Sequence, residues 1–388
     1  MPKPRSWRAS APWLSSRSTC AAKPSSRAPR HPLRYISSPD FRQDAERIGI
    51  LLVNTGTPDS LELRDIRRYL GKFLSDPRVI ELPRWLWLPI LHGYLLRTRP
   101  RRSQSKYRRI WTDQGSPLLS LSRELRGQLA SALAQRALAP FSVELGMLYS
   151  TPSVSAGLLK LQQAGAQRIL ILPLFPQYSG AATGAVYDQV TQELARWRWL
   201  PELRFVADYH DHPGFTAALR ESILAHWQQH GRTGHLLMSF HGIPEAYFDK
   251  GDPYFFKCHR TARLLADELL LKEGEWSVSF QSRLGPSKWL QPYTFEQMTH
   301  LPARGVDDVT VVCPGFAVDC LETLEEIAME NRQRFLQSGG RKFEYVPALN
   351  ASAGQVRFLA DLIGQHVQGW VDAGLDVRPA RKPRGAPA

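Results

Sequence analysis

Short apolar segments that alternate with longer helical segments constrain the fold of this chain more than any other feature. The segments with the length and content of buried strands are 48–53, 167–174, 203–209, 235–240, 276–281 and 308–313. Segments with helical spacing separate them, for instance 59–74 and 214–230. Strands that alternate with helices predict an α/β fold with parallel sheets flanked by helices.

Similar segments in the two halves indicate an internal repeat. LLVNTGTP (51–58) and LLMSFHGIP (236–244) are each a strand, a polar turn and a proline. LPLF (172–175) and CPGF (313–316) each end a strand and lead into a polar loop. The repeat predicts two similar α/β lobes. Because parallel sheets bind ligands at the carboxyl ends of their strands, we expect the loops of both lobes to meet at one cleft.

The repeat also predicts the domain boundaries. We expect a first lobe made of residues 46–206 and 345–372, with an inserted apolar lip at 82–100. The second lobe is expected at 207–344.

The net charge of +14 is concentrated at the chain ends. Residues 1–38 contain eight Lys or Arg and no acid, and they are rich in Ser and Pro. We predict disordered basic tails at 1–40 and 373–388. The first of these is a transit-like segment, a tail or an over-extended start. Because the body is only mildly basic, we expect no nucleic-acid partner.

Several common classes of protein are excluded by missing motifs. The chain has four cysteines and no Cys-x-x-Cys, so neither a disulfide framework nor a zinc knuckle is expected. His-Glu-x-x-His, the Walker loop and Gly-x-Gly-x-x-Gly are also absent. These absences argue against a zinc protease, a nucleotide hydrolase and a dinucleotide-dependent oxidoreductase.

Residues 82–102 combine tryptophan, leucine and a cluster of arginines. The apolar part is shorter than the ~20 residues that span a bilayer. Three interpretations stay open: a buried core helix, the apolar wall of a large ligand pocket, and a segment at a membrane interface.

The stretch DCLETLEEIAMEN, residues 319–331, is rich in carboxylates. On a helix Glu322, Glu326 and Glu330 form one stripe, and Asp319 joins it. Such a stripe is often a solvated face. However, like charges four residues apart destabilise a helix, and this row would suit a divalent cation or a train of protons.

Several motifs resemble those of one enzyme family. SFHGIPEAYF, QSRLGPSKWLQPYT and VVCPGFAVDCLETLEEI are similar to motifs of ferrochelatases, which insert ferrous iron into a porphyrin to complete haem. LLVNTGTPDSLELRDIRRYL, LPRWLWLPILHGYLLRTRP and FPQYSGAATG resemble bacterial members in the same order. The resemblance extends from about residue 48 to about residue 370. It implies two Rossmann-like lobes around a porphyrin cleft.

The resemblance also implies the catalytic residues. His241 in SFHG and Glu322 in DCLET are expected together at the metal. Glu326 and Glu330 match an acidic line that conducts protons or iron along a helix with a π-type distortion. Trp289 is expected to stack on the porphyrin, although a core tryptophan is an equal alternative.

The same resemblance implies further porphyrin contacts. The segments that line the cleft contribute Tyr149, Tyr178, Tyr107 and Ser116. Arg97 and Arg99 are expected to bind the two propionates, since guanidinium suits carboxylate. The alternative partner for these arginines is anionic lipid.

The expected substrates are protoporphyrin IX and Fe²⁺. No iron–sulfur cluster is expected, because no cysteine follows Cys320 and Gly180 stands where some members have another. Leu148 stands where some members have a cleft-facing arginine. We expect a cytoplasmic enzyme in peripheral contact with the inner membrane through residues 82–102. The alternatives are another metal, coproporphyrin as substrate, or a two-lobed tetrapyrrole- or metal-binding protein without catalysis.

Overall fold

Two four-stranded parallel sheets organise the part of the chain that the computed structural model describes. The described residues are 35, 47–136, 139–283, 285 and 287–371. The basic tails predicted at 1–40 and 373–388 lie outside these residues, apart from position 35.

The first sheet has its first strand in the middle. Its strands are β1 (Arg47–Asn54), β2 (Phe141–Met147), β3 (Ala166–Pro173) and β4 (Glu202–Phe205). They pair in parallel in the order β2-β1-β3-β4, with Leu51 opposite Glu144 and Ile171. After Arg47, β1 is buried along its whole length, which suits a parallel strand covered on both faces.

The second sheet repeats this arrangement. Its strands are β5 (His235–His241), β6 (Trp276–Gln281), β7 (Asp308–Val312) and β8 (Lys342–Val346). Their order is β6-β5-β7-β8, with Met238 opposite Val278 and Val312. The similar segments LLVNTGTP and LLMSFHGIP therefore run through the central strands β1 and β5. The predicted α/β fold with two parallel sheets is confirmed.

Helices connect and cover the strands. In the first half they are α1 (Leu63–Ser75), α2 (Arg84–Ile90), α3 (Leu96–Ile110), α4 (Pro117–Gln135), α5 (Val154–Gln163) and α6 (Ala185–Leu194). In the second half they are α7 (Pro213–His230), α8 (Glu245–Asp249), α9 (Tyr254–Glu268), α10 (Thr294–Ala303), α11 (Arg332–Gln337) and α12 (Ala353–His366). The π-helical segments are Leu91–Leu95, Gly180–Gly184 and Glu322–Asn331.

Two of the edge strands, β2 and β8, were not predicted. β2 and β8 are edge strands, and their sequences FSVELGM and KFEYV mix apolar with charged residues. Partial exposure allows this mixture, which hides the apolar run that marks a central strand. The edge strand β4 ends at Phe205, four positions before the predicted end at 209.

One apolar cluster joins the two sheets. It contains Ile50 and Leu170 of the first sheet together with Met238 and Val312 of the second. Helix α12 packs against α4 and α7 and so bridges the halves. Strand β8 includes Tyr345, which the predicted boundary assigned to the first lobe. The predicted lobe boundaries stay a prediction.

Candidate active site

The carboxyl ends of the central strands open on a shared cavity of about 1180 Å³. Thr55, just after β1, and His241, the last residue of β5, both line it. This is the place where parallel α/β sheets bind ligands. The loops of the two halves therefore meet at one cleft, as the repeat predicts.

His241 is half-buried, and its imidazole is hydrogen-bonded to the backbone of the next residue. Its Nδ1 lies 2.6 Å from the carbonyl oxygen of Gly242. A carbonyl oxygen only accepts hydrogen bonds, so Nδ1 carries the proton in the neutral ring and Nε2 keeps its lone pair. The rings of Trp289 and Phe316 lie 6.5 Å and 6.4 Å from the imidazole, centroid to centroid.

Glycine at position 242 permits this close packing. Its N–H donates to the carbonyl oxygen of Gln281 at 2.8 Å. A Cβ at this position would lie 2.9 Å from that oxygen and 3.2 Å from the Trp289 ring. The small residue lets the strand and the indole approach the backbone next to His241.

Carboxylates from the second half form a row along the cavity. Glu322, Glu326 and Glu330 all line it, and they belong to the π-helix Glu322–Asn331. Gln281 donates its Nε2 proton to the Glu322 carbonyl at 2.8 Å. The row thus has the π-type distortion that the sequence resemblance implied.

The surroundings of Glu326 change the pKa of its carboxyl group. Burial raises its pKa to about 7, and the charge of Glu322 acts in the same direction. The Ser282 N–H and hydroxyl donate to its two oxygens and limit the rise. A carboxyl with this pKa gains and loses a proton near neutral pH.

Comparison with known proteins identifies the chain. The family model for ferrochelatase matches residues 47–367. A ferrochelatase of Thioalkalivibrio sulfidiphilus is 51% identical over 342 residues, which are 88% of this chain and 93% of that protein. A ferrochelatase of Nitrosococcus oceani is 50% identical over 337 residues, 87% of this chain and 91% of that protein. The chain belongs to the ferrochelatase family. It is an enzyme of haem biosynthesis that inserts iron into a porphyrin, with ferrous iron and the porphyrin as substrates.

A solved structure supports the fold of this ferrochelatase-family chain. SirB from Bacillus subtilis, solved with Fe³⁺, aligns with a TM-score of 0.50 at 11% identity, covering 84% of this chain and 99% of that chain. At this identity the likeness concerns the fold alone.

The cavity brings together part of the residue set implied for ferrochelatases. The predicted residues that line it are His241, Glu322, Glu326, Glu330, Trp289, Tyr149 and Arg99. Tyr149 is buried and donates its hydroxyl to Asp76 at 2.8 Å. Burial lowers the pKa of Arg99, and the nearby Arg102 adds to this.

Other predicted porphyrin contacts lie away from the lining. They are Tyr107, Ser116, Tyr178 and Arg97. Tyr107 and Ser116 are buried. Ser116 accepts a hydrogen bond from the Thr57 hydroxyl at 2.7 Å and so stabilises the loop after β1. Arg97 is exposed on α3.

Asp319 does not join the carboxylate row. It is buried and accepts hydrogen bonds from the Tyr345 hydroxyl at 2.6 Å and from Asn350 Nδ2 at 2.8 Å. It precedes the π-helix and is hydrogen-bonded to β8 and to the loop that follows β8. The predicted stripe is therefore shorter by one acid.

Sequence reasoning missed the cations that face the row. Lys106 of α3 lines the cavity and contacts Glu325 and Glu330. Arg109 contacts Glu325 as well. These partners are more than 200 positions apart in the chain, with a separation of 219 for Lys106 and Glu325. No local pattern signals such a pair.

One face of the lip 82–100 lines the cavity, and another face is exposed to solvent. Trp87 is buried, lines the cavity and donates Nε1–H to the Leu74 carbonyl at 2.6 Å. Trp85 and Tyr94 are 78% and 65% exposed. Three interpretations of this segment were open: a core helix, a pocket wall and a membrane interface. The pocket wall describes the face that carries Trp87. None of the described helices combines the length and the apolar character needed to span a bilayer.

Proposed function

We propose that this enzyme inserts Fe²⁺ into protoporphyrin IX to form protohaem, with His241 and Glu322 at the metal. The observation that carries the assignment of residues is the convergence of His241 and the carboxylate row on one cavity. Imidazole nitrogen with carboxylate oxygen is a ligand set that Fe²⁺ accepts.

The cavity walls suit a flat apolar substrate. Trp289, Phe316 and Leu148 line the cavity, and the rings of Trp289 and Phe316 lie 6.5 Å and 6.4 Å from the His241 imidazole, centroid to centroid. Packing on such walls favours a bent macrocycle, in which the pyrrole lone pairs point out of the ring plane toward the metal. We propose that Trp289 and Phe316 favour this bent form and that Trp289 stacks on the porphyrin.

His241 accepts a pyrrole proton or binds iron through Nε2. Its Nδ1–H is committed to the Gly242 carbonyl, so Nε2 is the basic atom. Two protons leave the porphyrin as iron enters. His241 takes one of them and deprotonated Glu326 takes the other, while Glu322 complements the charge at the metal.

Glu326 and Glu330 carry protons from the reacting centre to the surface. Glu326, with a pKa of about 7, accepts a proton when deprotonated and releases it again near neutral pH. Glu330 is exposed and forms the outer end of the row. The row therefore connects the cavity to solvent.

Arg99 is the better candidate of the two lip arginines for a propionate. It is half-buried and lines the cavity, whereas Arg97 is exposed and does not. A guanidinium in a partly desolvated wall binds a carboxylate more strongly than one in water. We propose that Arg97 faces anionic lipid headgroups instead.

We further propose that the lip contacts a membrane surface and that the enzyme works in the cytoplasm at the inner membrane. The exposed apolar residues of the lip are Leu82, Trp85, Leu86, Ile90 and Tyr94. Exposed Arg97, Arg101 and Arg102 follow on α3. Aromatic residues beside a cationic face suit an anionic lipid interface.

No iron–sulfur cluster is part of this proposal. The sequence has no cysteine after Cys320, and Cys258, Cys313 and Cys320 are buried. Total iron and acid-labile sulfide in the purified protein test this point, and stoichiometric sulfide would contradict it.

Anaerobic turnover of Fe²⁺ and protoporphyrin IX tests the central proposal. Loss of porphyrin fluorescence is followed for the wild type, His241→Ala and Glu322→Gln. We expect haem from the wild type, and porphyrin binding without turnover from both variants. Binding without insertion by the wild type would favour a carrier protein, and insertion of another metal alone would change the substrate.

A further inference from the structure

Ion pairs join α3, which begins within the lip, to the π-helix of the second half. Lys106 Nζ lies 3.0 Å from Glu325 Oε2 and 2.8 Å from Glu330 Oε2. Arg109 Nη1 lies 2.7 Å from Glu325 Oε1. The Glu325 side chain is 1% exposed, so its charge depends on these two cations. The contact links α3 to the segment that carries the carboxylate row.

The spacing of the two carboxylates matters for this bridge. Glu325 and Glu330 are five residues apart. In an α-helix five residues leave two side chains roughly 140° apart around the axis. In a π-helix, whose hydrogen bonds join residues five apart, such residues lie much closer together around the axis. The π-helical form therefore brings both carboxylates toward a single ammonium, whereas the α-helical form holds them further apart.

A second contact uses the same spacing. Asn331 donates its Nδ2 proton to the Glu326 carbonyl at 2.8 Å, again across five residues. Asn331 is buried and lines the cavity. Two independent side-chain contacts are thus matched to the π-helical geometry.

We propose that Lys106 is a positioning residue that holds residues 322–331 in the π-helical form. An interaction that is stronger in one conformation shifts the population toward that conformation. Lys106 thereby keeps Glu322, Glu326 and Glu330 in one row along the cavity. The inference rests on the proposed function of that row.

Kinetics of matched variants test the proposal. Lys106→Met removes the bridge, and Lys106→Arg keeps it because a guanidinium also binds two carboxylates. Lys160→Met is the control, since Lys160 is a helical lysine 3.6 Å from Glu144. We expect kcat to fall about five- to tenfold for Lys106→Met, with KM for porphyrin within about twofold. We expect Lys106→Arg and Lys160→Met to keep wild-type kcat.

Hydrogen exchange of the folded enzyme provides a second readout. In Lys106→Met we expect faster exchange in peptides from 322–331 and unchanged exchange in α9. Faster exchange throughout, α9 included, would indicate a general structural role and contradict the proposal. A raised KM at unchanged kcat would make Lys106 a porphyrin contact and also overturn it. If the wild type inserts no iron, the proposed function fails, while the exchange experiment still tests the positioning role.

Discussion

The two sheets share one strand order, but the loops after their central strands bring different chemistry to the cavity. Aligning Gly56 and Pro58 with Gly242 and Pro244 places Thr55 opposite His241. Both residues line the cavity. The first half adds an apolar lip, whereas the second adds an imidazole and a row of carboxylates. In the proposed function the first half supplies the lip with Arg99, and the second half supplies the imidazole, the carboxylates and the stacking residue Trp289.

Removing the side chain at each of the two matched positions should give the largest difference in kcat. We expect His241→Ala to lower kcat by at least about 100-fold, because a positioned acid–base group contributes that much. Thr55→Ala, the matched change in the first half, should lower kcat less than about threefold. Steady-state kinetics with Fe²⁺ and protoporphyrin IX measure both. Similar losses in the two variants would contradict the division of labour between the halves.

The Glu326 carboxyl of the second half should make turnover depend on pH. We expect kcat to rise with an inflection near the Glu326 pKa of about 7, because the deprotonated form accepts protons. In Glu326→Gln we expect kcat to fall about tenfold and this inflection to disappear. A pH–rate profile of both proteins makes the measurement. An unchanged inflection in the variant would assign it to another group.

The same pKa predicts how stability changes with pH. Folding raises the pKa of Glu326 from its ordinary 4.5 to about 7, so the folded state holds a proton that the unfolded state releases. The resulting stability is present below about pH 4.5 and is lost as the pH rises through about 7. Thermal unfolding should therefore show Glu326→Gln gaining stability relative to wild type between pH 5 and 8. A constant difference would show that the carboxyl is not perturbed.

The two arginines of the lip should differ in their effect on porphyrin binding, and this difference should be smaller than the effects on kcat described above. We expect Arg99→Gln to raise KM for porphyrin about fivefold with little change in kcat, because a uniform binding contact is lost. Arg97→Gln should change KM less than about twofold. Porphyrin titration followed by fluorescence quenching provides the dissociation constants. Equal effects would indicate that both arginines reach the propionates.

The outer face of the lip should show the smallest effect on turnover and a clear effect on lipid binding. We expect Trp85→Ser with Tyr94→Ser to reduce co-sedimentation with phosphatidylglycerol vesicles several-fold, because interfacial aromatic residues are lost. Leu270→Ser removes an 85% exposed leucine elsewhere and should change nothing. Phosphatidylcholine vesicles provide the uncharged control. Unchanged sedimentation of the lip variant would remove the membrane proposal.

The central strands and the edge strand β6 were predictable from the sequence, whereas the edge strands β2 and β8 were not. β1 and β5 are mostly apolar because helices cover both faces, and such segments stand out locally. β2 and β8 carry charges at partly exposed positions, so their strand character depends on a neighbour that sequence does not reveal. The same holds for Asp319, which fits the helical stripe by spacing but is drawn away by Tyr345 and Asn350.

The sequence by itself determined the alternation of strands and helices, the repeat, and the placement of His241 and the carboxylates at strand ends and on one helix face. These features depend on neighbours within a few residues, and local patterns record them. Only the tertiary structure decided that Lys106 faces Glu325 and Glu330 and that burial raises the pKa of Glu326. Charge interaction and desolvation depend on distance and solvent exposure in space, which separation along the chain does not encode.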